Sequence, residues 1–564
     1  MDLRLEIAKI LESKEISMSV DEILLSLETP PNKDMGDFAF PCFRLAKTMR
    51  KAPNMIAEDL VSSIDAEFIK EVKNVGPYVN FYIDNEFLAK LTIEEILSKK
   101  ERYGSSEMGK GKSVVIDYSS TNIAKPFHIG HIRSTVQGDA LKRIFRFLGY
   151  DTYGINYLGD YGTQFGILLA AYEKWGDKDT INQDPIKELL KLYVAYNELA
   201  EEDESYMDVA RAWFRKLEAE DEKALEIWNW FKEISLKEFD RVYKMLDIEF
   251  DSYDGEYYHS KFVPEVVEIL EKENLLELSE DAQIVRLDEF DMPPAIILKR
   301  DGSSTYITRD IATAMKRMEN YNFYKNIYVV ATQQSLHFKQ LKKVVDKMGF
   351  DWANKIEHVA FGMVSLTDGT LSTRHGRVVF LEDVLNKSIE QTLDIIEKRN
   401  PNLENKEQVA KQVGIGAIKF QELFNNRIKD YVFSWDEVLN FDGETGPYVQ
   451  YSHARANSLV NRYGEDIDAN IDYSILSTPE ENELIMNLYK TPDVIRVAME
   501  KLEPSMITRA VVEVSKSFNK FYNTVNILNS SKEEQKARMA LVESTRITIK
   551  LLLNLLGIQA PEKM

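Results

Sequence analysis

The sequence predicts an α/β protein with a parallel sheet, preceded by an α+β segment and followed by an all-helical one. Short apolar runs typical of buried strands occur at 114–116 and within 325–334. After the first run, residues 132–148 carry apolar side chains at a spacing of four, and a second strand candidate follows at 151–166. A strand–helix–strand unit places both strands in parallel, so we expect ligands at their carboxyl ends.

Composition bounds the kinds of protein that this chain can be. Its 564 residues are enough for about three to four domains, and a single cysteine excludes both an internal disulfide and a thiolate zinc cluster. The chain starts with an amphipathic helix pattern rather than a signal peptide, and no run approaches the roughly 20 apolar residues of a membrane helix. We therefore expect a cytoplasmic protein without a membrane partner.

The net charge of −22 argues against a nucleic-acid partner unless basic residues are concentrated locally. The same acidity suits a small cationic substrate. Local sequence has to decide between these two possibilities.

The elements can be justified in chain order. Residues 1–112 form a first domain with helical ends, a turn-rich centre at 29–42 and a strand at Val75–Asp84. A second domain at 113–385 contains the strand at 114–116, the helix that ends near Gly149, and a helical insertion at about 180–285. Segments 295–310 and 325–334 are predicted to complete the same sheet. Helical segments at 386–445 and 446–564 end the chain.

The segment "STNIAKPFHIGHIRST" places His128, Gly130 and His131 behind a Lys-Pro turn, between the first strand and its helix. A helix start attracts anions, a glycine lets a flat ligand approach, and two imidazoles add donors for a phosphate. A metal site would need further ligands. The histidines could also have no role beyond starting a helix, so three interpretations stay open from these residues alone.

Longer segments carry a family resemblance. "SSTNIAKPFHIGHIRST" resembles the His-Ile-Gly-His signature of class I aminoacyl-tRNA synthetases in its arginyl form. Segments similar to the same family follow in its order: "INYLGDYGTQFG", "STYITRDIATAM", "IYVVATQQSLHF", "LSTRHGRVVFLEDVL" and "GETGPYVQYSHAR", with "TPPNKDMGDFAFPC" near the start. Together they cover the chain, and they imply a Rossmann-like catalytic domain that attaches L-arginine to tRNA(Arg) through an arginyl-adenylate.

The resemblance implies an arginine pocket, whose positions here are Asp117, Asn122, His131, Tyr306, Asp310 and Gln334. Carboxylates and neutral oxygens suit a guanidinium, which has five fixed donors and no acceptor. The family usually has Glu where this chain has Asp117, and Pro where it has Thr121. Asp117 could instead cap the loop after its strand, and Asp310 could be a helix N-cap.

The resemblance also implies a second ATP-binding loop. Arginine enzymes commonly read Met-Ser-Thr-Arg-Lys-Gly there, and this chain has Leu371 to Gly376, with ATP contacts implied for Ser372, Thr373, Arg374 and His375. His375 replaces a lysine, and Thr370 occupies another lysine position. A histidine supplies less charge than lysine at neutral pH. Lys125, just before the signature, is implied to compensate together with Arg374, unless it is a solvated loop residue. The resemblance thus implies His128, His131, Lys125 and Arg374 as the catalytic groups.

The implied partners are ATP with Mg²⁺, L-arginine and tRNA(Arg), bound by a monomer without a structural metal. The C-terminal helices resemble an anticodon-binding domain, with tRNA contacts implied for Tyr448, Tyr451, Tyr522 and Met564. The first domain resembles one that touches the corner of tRNA, with Asn80 and Phe81 as candidates. Arginine enzymes usually need bound tRNA before adenylate forms.

Two other functions compete with this interpretation. A small-molecule nucleotidyltransferase could use the same histidine signature, but it would not need a helical C-terminal tail. A non-catalytic tRNA-binding relative would fit the altered lysine loop, and it would bind tRNA without exchanging pyrophosphate.

Overall fold

The computed structural model describes residues 1–366, 379–440 and 443–564, apart from the side chains of residues 33, 366, 436 and 437. The chain divides into two compact units. The first comprises residues 1–103, 455–491 and 513–548, and the second comprises residues 104–454, 492–512 and 549–564. The predicted fold class, a parallel sheet with helices followed by a helical C-terminal part, is confirmed.

The first unit contains helices packed with a small antiparallel sheet. Its sheet has the order β1–β3–β2, and its N-terminal strands and helices are α1 (Leu3–Glu12), α2 (Val20–Ser26), β1 (Phe38–Pro41), α3 (Leu45–Met49), α4 (Pro53–Ser63), β2 (Ile69–Val75), β3 (Tyr78–Ile83) and α5 (Asn85–Lys99). α1 follows the predicted pattern, since Leu3, Ile7 and Leu11 form one buried face and Asp2 caps its first turn.

The single strand predicted at Val75–Asp84 is a hairpin instead. Val75 ends β2, and Tyr78 pairs with it as the first residue of β3. Gly76, at φ +60°, adopts the left-handed conformation of the tight turn between them.

The main sheet of the second unit is parallel. Its strands lie in the order β10–β9–β4–β5, with β4 (Ser113–Asp117), β5 (Asp151–Ile155), β9 (Phe323–Ala331) and β10 (Ile356–Phe361). Strand β5, which follows β4 in the chain, pairs with one side of β4, and β9 pairs with its other side. The carboxyl ends of β4 and β9 therefore flank a topological switch point, where open α/β sheets bind their ligands.

The helix predicted after the signature is α6 (Ile132–Phe147). Ile132, Val136, Ala140 and Ile144 are buried, as their spacing of four predicts. Gly149 lies just beyond the helix at φ +86°, and its N–H donates to the Arg146 carbonyl, which terminates the helix as predicted.

The predicted helical insertion is correct for most of its length. Its helices, with the preceding α7, are α7 (Thr163–Trp175), α8 (Lys178–Gln183), α9 (Pro185–Glu202), α10 (Ser205–Glu218), α11 (Glu222–Leu246), α12 (Glu256–Ser260) and α13 (Val263–Lys272). The prediction is wrong for its last part, where β6 (Leu276–Ser279) and β7 (Ala282–Val285) form an antiparallel sheet with β8 (Ala295–Leu298).

The prediction that segment 295–310 continues the parallel sheet is also wrong. β8 pairs with β7, and Tyr306 already begins a helix. A short apolar strand shows its β character in sequence, but not which sheet contains its partner.

After residue 386 the described residues are mainly helical, as predicted, and β12 is a short strand among them. The remaining elements are α14 (Tyr306–Tyr321), α15 (Ser335–Lys347), β11 (Val364–Leu366), α16 (Leu381–Arg399), α17 (Lys406–Phe424), β12 (Tyr431–Phe433), α18 (Trp435–Val438), α19 (Gly446–Tyr463), α20 (Pro479–Tyr489), α21 (Thr491–Glu500), α22 (Ser505–Thr524) and α23 (Lys532–Leu555). β11 and β12 pair in parallel. Val115, Ile297, Ile311 and Val344 belong to a buried core that backs the sheet.

Candidate active site

The loop between β4 and α6 has an unusual backbone. Ser119, Ser120 and Ala124 adopt φ values of +70°, +48° and +57°, although none of them is glycine. Such conformations persist only where surrounding contacts impose them, and they concentrate at functional sites. The Ser119 N–H donates to Ser134 Oγ over 3.0 Å, and the Ala124 N–H donates to Ser235 Oγ over 2.8 Å.

The two signature histidines are held by their own backbone. His128 Nδ1 accepts from the Gly130 N–H over 3.1 Å, and His131 Nδ1 accepts from the His128 N–H over 3.2 Å. Burial lowers the pKa of His128 to about 4 and that of His131 to about 3, so both rings are neutral at pH 7. Because His128 Nδ1 accepts a hydrogen bond, the proton of that ring is on Nε2. His131 Nδ1 lies near both the His128 N–H and, at 3.3 Å, the His128 carbonyl oxygen, so its ring is held by the backbone in either tautomer. The pair therefore places two neutral, oriented imidazoles at the start of α6.

Residues 379–381 form hydrogen bonds with the backbone of the signature segment. The Ile129 N–H donates to the Val379 carbonyl over 3.1 Å, and the Leu381 N–H donates to the Phe127 carbonyl over 2.9 Å. His128 forms an isolated antiparallel bridge with Phe380. The predicted second ATP loop precedes this segment, but Ser372, Thr373, Arg374 and His375 lie outside the described residues.

Lys125 lies in the same loop, close to the insertion. Its Nζ donates to Gln164 Oε1 over 2.9 Å, and it lies 5.5 Å from the centroid of the Tyr193 ring. The side chain is half-buried. It is therefore held by defined neighbours rather than extended into solvent.

Asp117, at the carboxyl end of β4, is buried and already has two partners. Arg317 Nη2 donates to its Oδ2 over 2.6 Å, and Ser120 Oγ donates to its Oδ1 over 2.7 Å. Burial raises the pKa of Asp117, Arg317 opposes that shift, and the nearby Asp310 carboxylate adds to it. Asp117 and Asp310 are thus close enough to interact, but both Asp117 oxygens are occupied.

Asp310 is the more open of the two carboxylates. It lies on α14, its side chain is 19% exposed, and its Oδ2 is 2.6 Å from His337 Nε2. The alternative that Asp310 caps a helix is wrong, because α14 begins at Tyr306 with Thr305 as its N-cap. Tyr306 itself is 66% exposed, one turn before Asp310.

Asn122 and Gln334 follow the two strands that flank the switch point. Asn122 forms a parallel bridge with Gly159 in the loop after β5. A Cβ on Gly159 would lie 1.9 Å from Asn122 Oδ1, so only glycine leaves room for this amide. Gln334 is exposed and directly precedes α15.

Sequence reasoning missed two side chains at this site, Arg317 and His337. Arg317 neutralises Asp117 and lies 5.1 Å from the Tyr328 ring centroid, and its Nη1 has no hydrogen-bond partner among the described residues. His337 pairs with Asp310. The sequence could have indicated that Arg317 lies near Asp310, since a spacing of seven residues places both side chains on one face of a helix.

A cleft of about 600 Å³ opens beside Tyr306. Arginines and a lysine outnumber the acidic groups along its walls, and aromatic side chains accompany them. The charged and aromatic lining residues are Arg211, Arg215, Lys299, Arg309, Glu218, Asp301, Tyr161, Phe214 and Tyr306. The Arg309 guanidinium lies 4.7 Å from the Tyr306 ring centroid and 5.2 Å from that of Tyr161. This cleft can hold an anionic ligand that has aromatic rings.

The predicted C-terminal tRNA contacts differ in exposure. In the second unit, Tyr451 is 41% exposed and Tyr448 is half-buried, whereas Met564 packs against a buried cluster that includes Ile396 and Val413. In the first unit, Tyr522 lies under the Arg455 guanidinium, 4.7 Å from it.

The N-terminal tRNA candidates need correction. Phe81 is fully buried and Asn80 is 3% exposed, because both lie on the covered central strand β3. Asn80 Nδ2 donates to the Met35 carbonyl over 2.7 Å. Side chains buried in this way have no surface with which to contact RNA directly.

Within residues 1–366, 379–440 and 443–564, no group of three His, Cys, Asp or Glu side chains is placed to hold a metal ion. In that same part of the chain, no helix combines the length and apolarity needed to cross a membrane.

Three protein-family models match this chain. Residues 92–435 match the family model described as tRNA synthetases class I (R), catalytic domain, residues 449–564 match the DALR anticodon binding domain, and residues 1–83 match the arginyl tRNA synthetase N terminal domain. The fold and the histidine signature are thus those of a class I aminoacyl-tRNA synthetase, a class that uses ATP.

Similar proteins indicate which family within this class the chain belongs to. The chain is 53% identical to an arginine–tRNA ligase of Halothermothrix orenii, with 98% of each chain covered, and 52% identical to one of Clostridioides difficile, with 100% of each covered. The fold matches that of Thermus thermophilus arginyl-tRNA synthetase with a TM-score of 0.84 at 24% identity, covering 100% of this chain and 99% of that one. The chain belongs to the arginyl-tRNA synthetase family.

Proposed function

We propose that this chain attaches L-arginine to tRNA(Arg) in two steps, with arginyl-adenylate as the intermediate. The observation that carries the proposal is the juxtaposition at the switch point. Two neutral imidazoles lie at the start of α6, in the loop that follows β4, and Asp117 at the carboxyl end of β4 has Asp310 of α14 as an electrostatic neighbour. A phosphate-binding group and an acidic group for a cationic substrate thus meet at one edge of the sheet.

In the first step, an oxygen of the arginine carboxylate attacks the α-phosphorus of ATP, and the bond from that phosphorus to the pyrophosphate oxygen breaks. His128 and His131 donate through Nε2–H to the phosphate oxygens, whose charge changes as the reaction proceeds. Neutral donors can stabilise that charge without taking part in proton transfer. ATP enters as its magnesium complex, and that ion neutralises part of the triphosphate charge.

Asp310 is the carboxylate that we assign to the substrate guanidinium. Its Oδ1 has no hydrogen-bond partner among the described residues, whereas both Asp117 oxygens are engaged. Asp117 therefore acts by neutralising Arg317, which would otherwise repel a second guanidinium in the pocket. Tyr306, Asn122, His131 and Gln334 complete the proposed pocket. A lysine substrate could not fill two acceptors with the same planar geometry.

Lys125 and Arg374 are proposed to stabilise the departing pyrophosphate. For Lys125, the support is its position in the signature loop, held by Gln164 and by the Tyr193 ring. Arg374, with Ser372, Thr373 and His375, completes the proposed ATP site on sequence grounds.

In the second step, a hydroxyl oxygen of the terminal tRNA ribose loses its proton and attacks the arginyl carbonyl carbon, the bond from that carbon to the phosphate oxygen breaks, and AMP leaves. The cleft beside Tyr306 is our proposed entry for the acceptor end, because its arginines suit phosphates and its exposed aromatic ring suits a base. We assign residues 1–112 to the tRNA corner, 113–385 to catalysis, 386–445 to a connecting segment and 446–564 to the anticodon. Tyr448, Tyr451, Tyr522 and Met564 remain the proposed anticodon-side contacts, and we expect a cytoplasmic monomer.

The deciding experiment is ATP–pyrophosphate exchange with each of the twenty amino acids, with and without tRNA(Arg). We expect exchange with arginine only, and only when tRNA is present. Exchange that ignores tRNA and amino acids would favour a small-molecule nucleotidyltransferase. Binding of tRNA without any exchange would favour a non-catalytic relative. Either result would overturn the proposal.

A further inference from the structure

Arg133 lies two residues beyond the second signature histidine, and it is not one of the residues assigned to ATP, arginine or tRNA. It is a residue of the first turn of α6, and its side chain is fully buried. Burying a guanidinium is expensive unless its donors are satisfied. Its partners therefore indicate what this charge is there to hold.

Those partners are backbone carbonyls from two distant segments. Arg133 Nη1 donates to the Gly362 carbonyl over 2.9 Å and to the Lys429 carbonyl over 2.7 Å. Nη2 donates to the Asn426 carbonyl over 3.2 Å. A planar fork of donors can contact three carbonyls in fixed directions at once, which a lysine ammonium on a flexible stem cannot reproduce.

Both segments adjoin the β11–β12 strand pair, which lies next to the turn that contains the histidines. Gly362 links β10 to β11, and residues 426–429 lead into β12, which pairs with β11. The Gly362 N–H donates to the Arg427 carbonyl over 2.7 Å, and the Tyr431 N–H donates to the Met363 carbonyl over 3.1 Å. β11 in turn contacts the turn formed by Ile129–His131.

A buried acid completes the cluster around Arg133. Glu422 on α17 lies with its Oε2 3.6 Å from Arg133 Nε, too far for a hydrogen bond, and it accepts from the Tyr431 hydroxyl. The Tyr431 ring centroid lies 5.1 Å from the guanidinium carbon. Burial raises the pKa of Glu422 to about 7, so its charge offsets that of Arg133 only in part near neutral pH. The directional hydrogen bonds of the guanidinium are those to the three carbonyls.

We propose that Arg133 is a positioning residue for ATP, which holds the β11–β12 pair against the signature turn and thereby sets where the histidine donors point. The inference rests on the proposed function, since it concerns the same ATP site. Arg133 itself touches neither ATP nor arginine in this assignment. Its loss should therefore weaken the use of ATP while leaving recognition of arginine intact.

The test compares Arg133→Lys with Lys142→Met. Arg133→Lys keeps the charge and most of the stem but loses the planar fork. Lys142 is the matched control, because it is also a buried cation on α6, bound to Asp251 over 2.7 Å and away from β11. For both variants, KM for ATP and for arginine in tRNA-dependent exchange and the thermal unfolding midpoint would be measured. Hydrogen exchange of the 362–366 and 429–433 amides gives an independent readout.

We expect Arg133→Lys to raise KM for ATP at least about tenfold, with KM for arginine within about twofold, and to speed exchange of those amides. Lys142→Met should lower the unfolding midpoint without changing either KM by more than about twofold. Equal changes in both KM values, no change in KM for ATP, or the same pattern in Lys142→Met would overturn the inference. A wild-type chain without exchange would instead overturn the proposed function.

If Arg133→Lys does not fold, Gly362→Ala tests the same role of the β11–β12 pair in ATP binding. A Cβ on Gly362 would lie 2.6 Å from the carbonyl carbon of Lys429, so Gly362→Ala pushes the two segments apart without altering α6. It should raise KM for ATP selectively, as Arg133→Lys does. An unchanged KM for ATP in Gly362→Ala would count against the inference.

Discussion

His128 and His131 combine a fixed orientation with the absence of charge. Their Nδ1 atoms form hydrogen bonds with the backbone, and burial keeps the rings neutral at pH 7. A charged pair would bind the ATP ground state more strongly as well, which adds nothing to the rate of the chemical step. Oriented neutral donors can favour the transition state instead.

Neutral buried histidines also predict how stability depends on pH. The pKa of His128 is about 4 in the folded chain and near 6.5 when exposed, so between these values the unfolded chain binds more protons. The free energy of unfolding should therefore fall as pH falls from 6.5 toward 4. His128→Asn, which keeps an acceptor for the Gly130 N–H, should lose about 1–2 kcal/mol less than the wild type between pH 7 and pH 5.

The measurement is urea unfolding of both proteins at pH 7, 6 and 5. His259 is a positive control, because burial also lowers its pKa to about 4 and His259→Asn should show a similar difference. If wild type and His128→Asn lose equal stability over this range, His128 is not a neutral buried group in the folded chain.

Lys125 can be tested by removing its charge. Lys125→Ala should reduce arginine-dependent ATP–pyrophosphate exchange at least about a hundredfold, because a cation aimed at the departing pyrophosphate acts mainly in the transition state. Lys174 is the matched control, since its Nζ also lies over aromatic rings, 5.5 Å from Trp175 and 5.3 Å from Tyr206. Lys174→Ala should change exchange by less than about twofold. Near-normal exchange in Lys125→Ala would remove this lysine from the mechanism.

Among the structural elements, the unit β4–α6–β5 was the most predictable because its signals are local. A short apolar run, a spacing of four and the glycine after the helix lie within about forty residues of each other. The sheet that contains β8 was not predictable, because an apolar strand carries no mark of its distant partner. Arg317 reaches Asp117 across 200 residues of sequence, and no local pattern predicts that contact.

The loops after β4 and β5 are joined by a contact that glycine makes possible. A Cβ on Gly159 would lie 1.9 Å from Asn122 Oδ1, so Gly159→Ala must move that amide. The amide is the end of a short side chain that can turn aside, so we expect less than about 1 kcal/mol of lost stability. KM for arginine should rise about fivefold to tenfold, because Asn122 leaves the proposed pocket.

Gly176→Ala is the matched control for this substitution. Its Cβ would lie 2.0 Å from a Tyr172 ring atom and 2.6 Å from the Tyr172 carbonyl, outside the proposed pocket. It should cost about 1–3 kcal/mol of stability while KM for arginine stays unchanged. The assignment of Asn122 to the pocket fails if both variants change KM equally. KM in tRNA-dependent exchange and urea unfolding together separate the two effects.

For the molecule as a whole, the difficulty is how a chain of net charge −22 binds RNA. The cleft beside Tyr306 offers a local answer, because Arg211, Arg215, Lys299 and Arg309 line it together with Glu218 and Asp301. Arg211 and Arg309 also have acidic partners in Asp208 and Glu256, which leaves Arg215 and Lys299 as the main source of positive charge. Acidic surface elsewhere would then repel tRNA from unproductive positions, and the short range of the attraction at physiological salt would confine binding to such basic regions.

This charge distribution predicts a specific salt dependence. Replacing both Arg211 and Arg215 with glutamine should weaken tRNA(Arg) binding at least about tenfold in low salt. It should also reduce the slope of log Kd against log salt by about 1.4, since each lost phosphate contact to a single strand removes about 0.7. Lys223→Gln with Lys237→Gln is the matched control, because both lysines are exposed on α11 and are not among the residues that line the cleft. They are paired with Glu173 and Glu233, as Arg211 is with Asp208. Filter binding at several salt concentrations measures both quantities. Equal slopes for the two double variants would mean that the acceptor end does not enter through this cleft, since counterions are released only where cations meet phosphates.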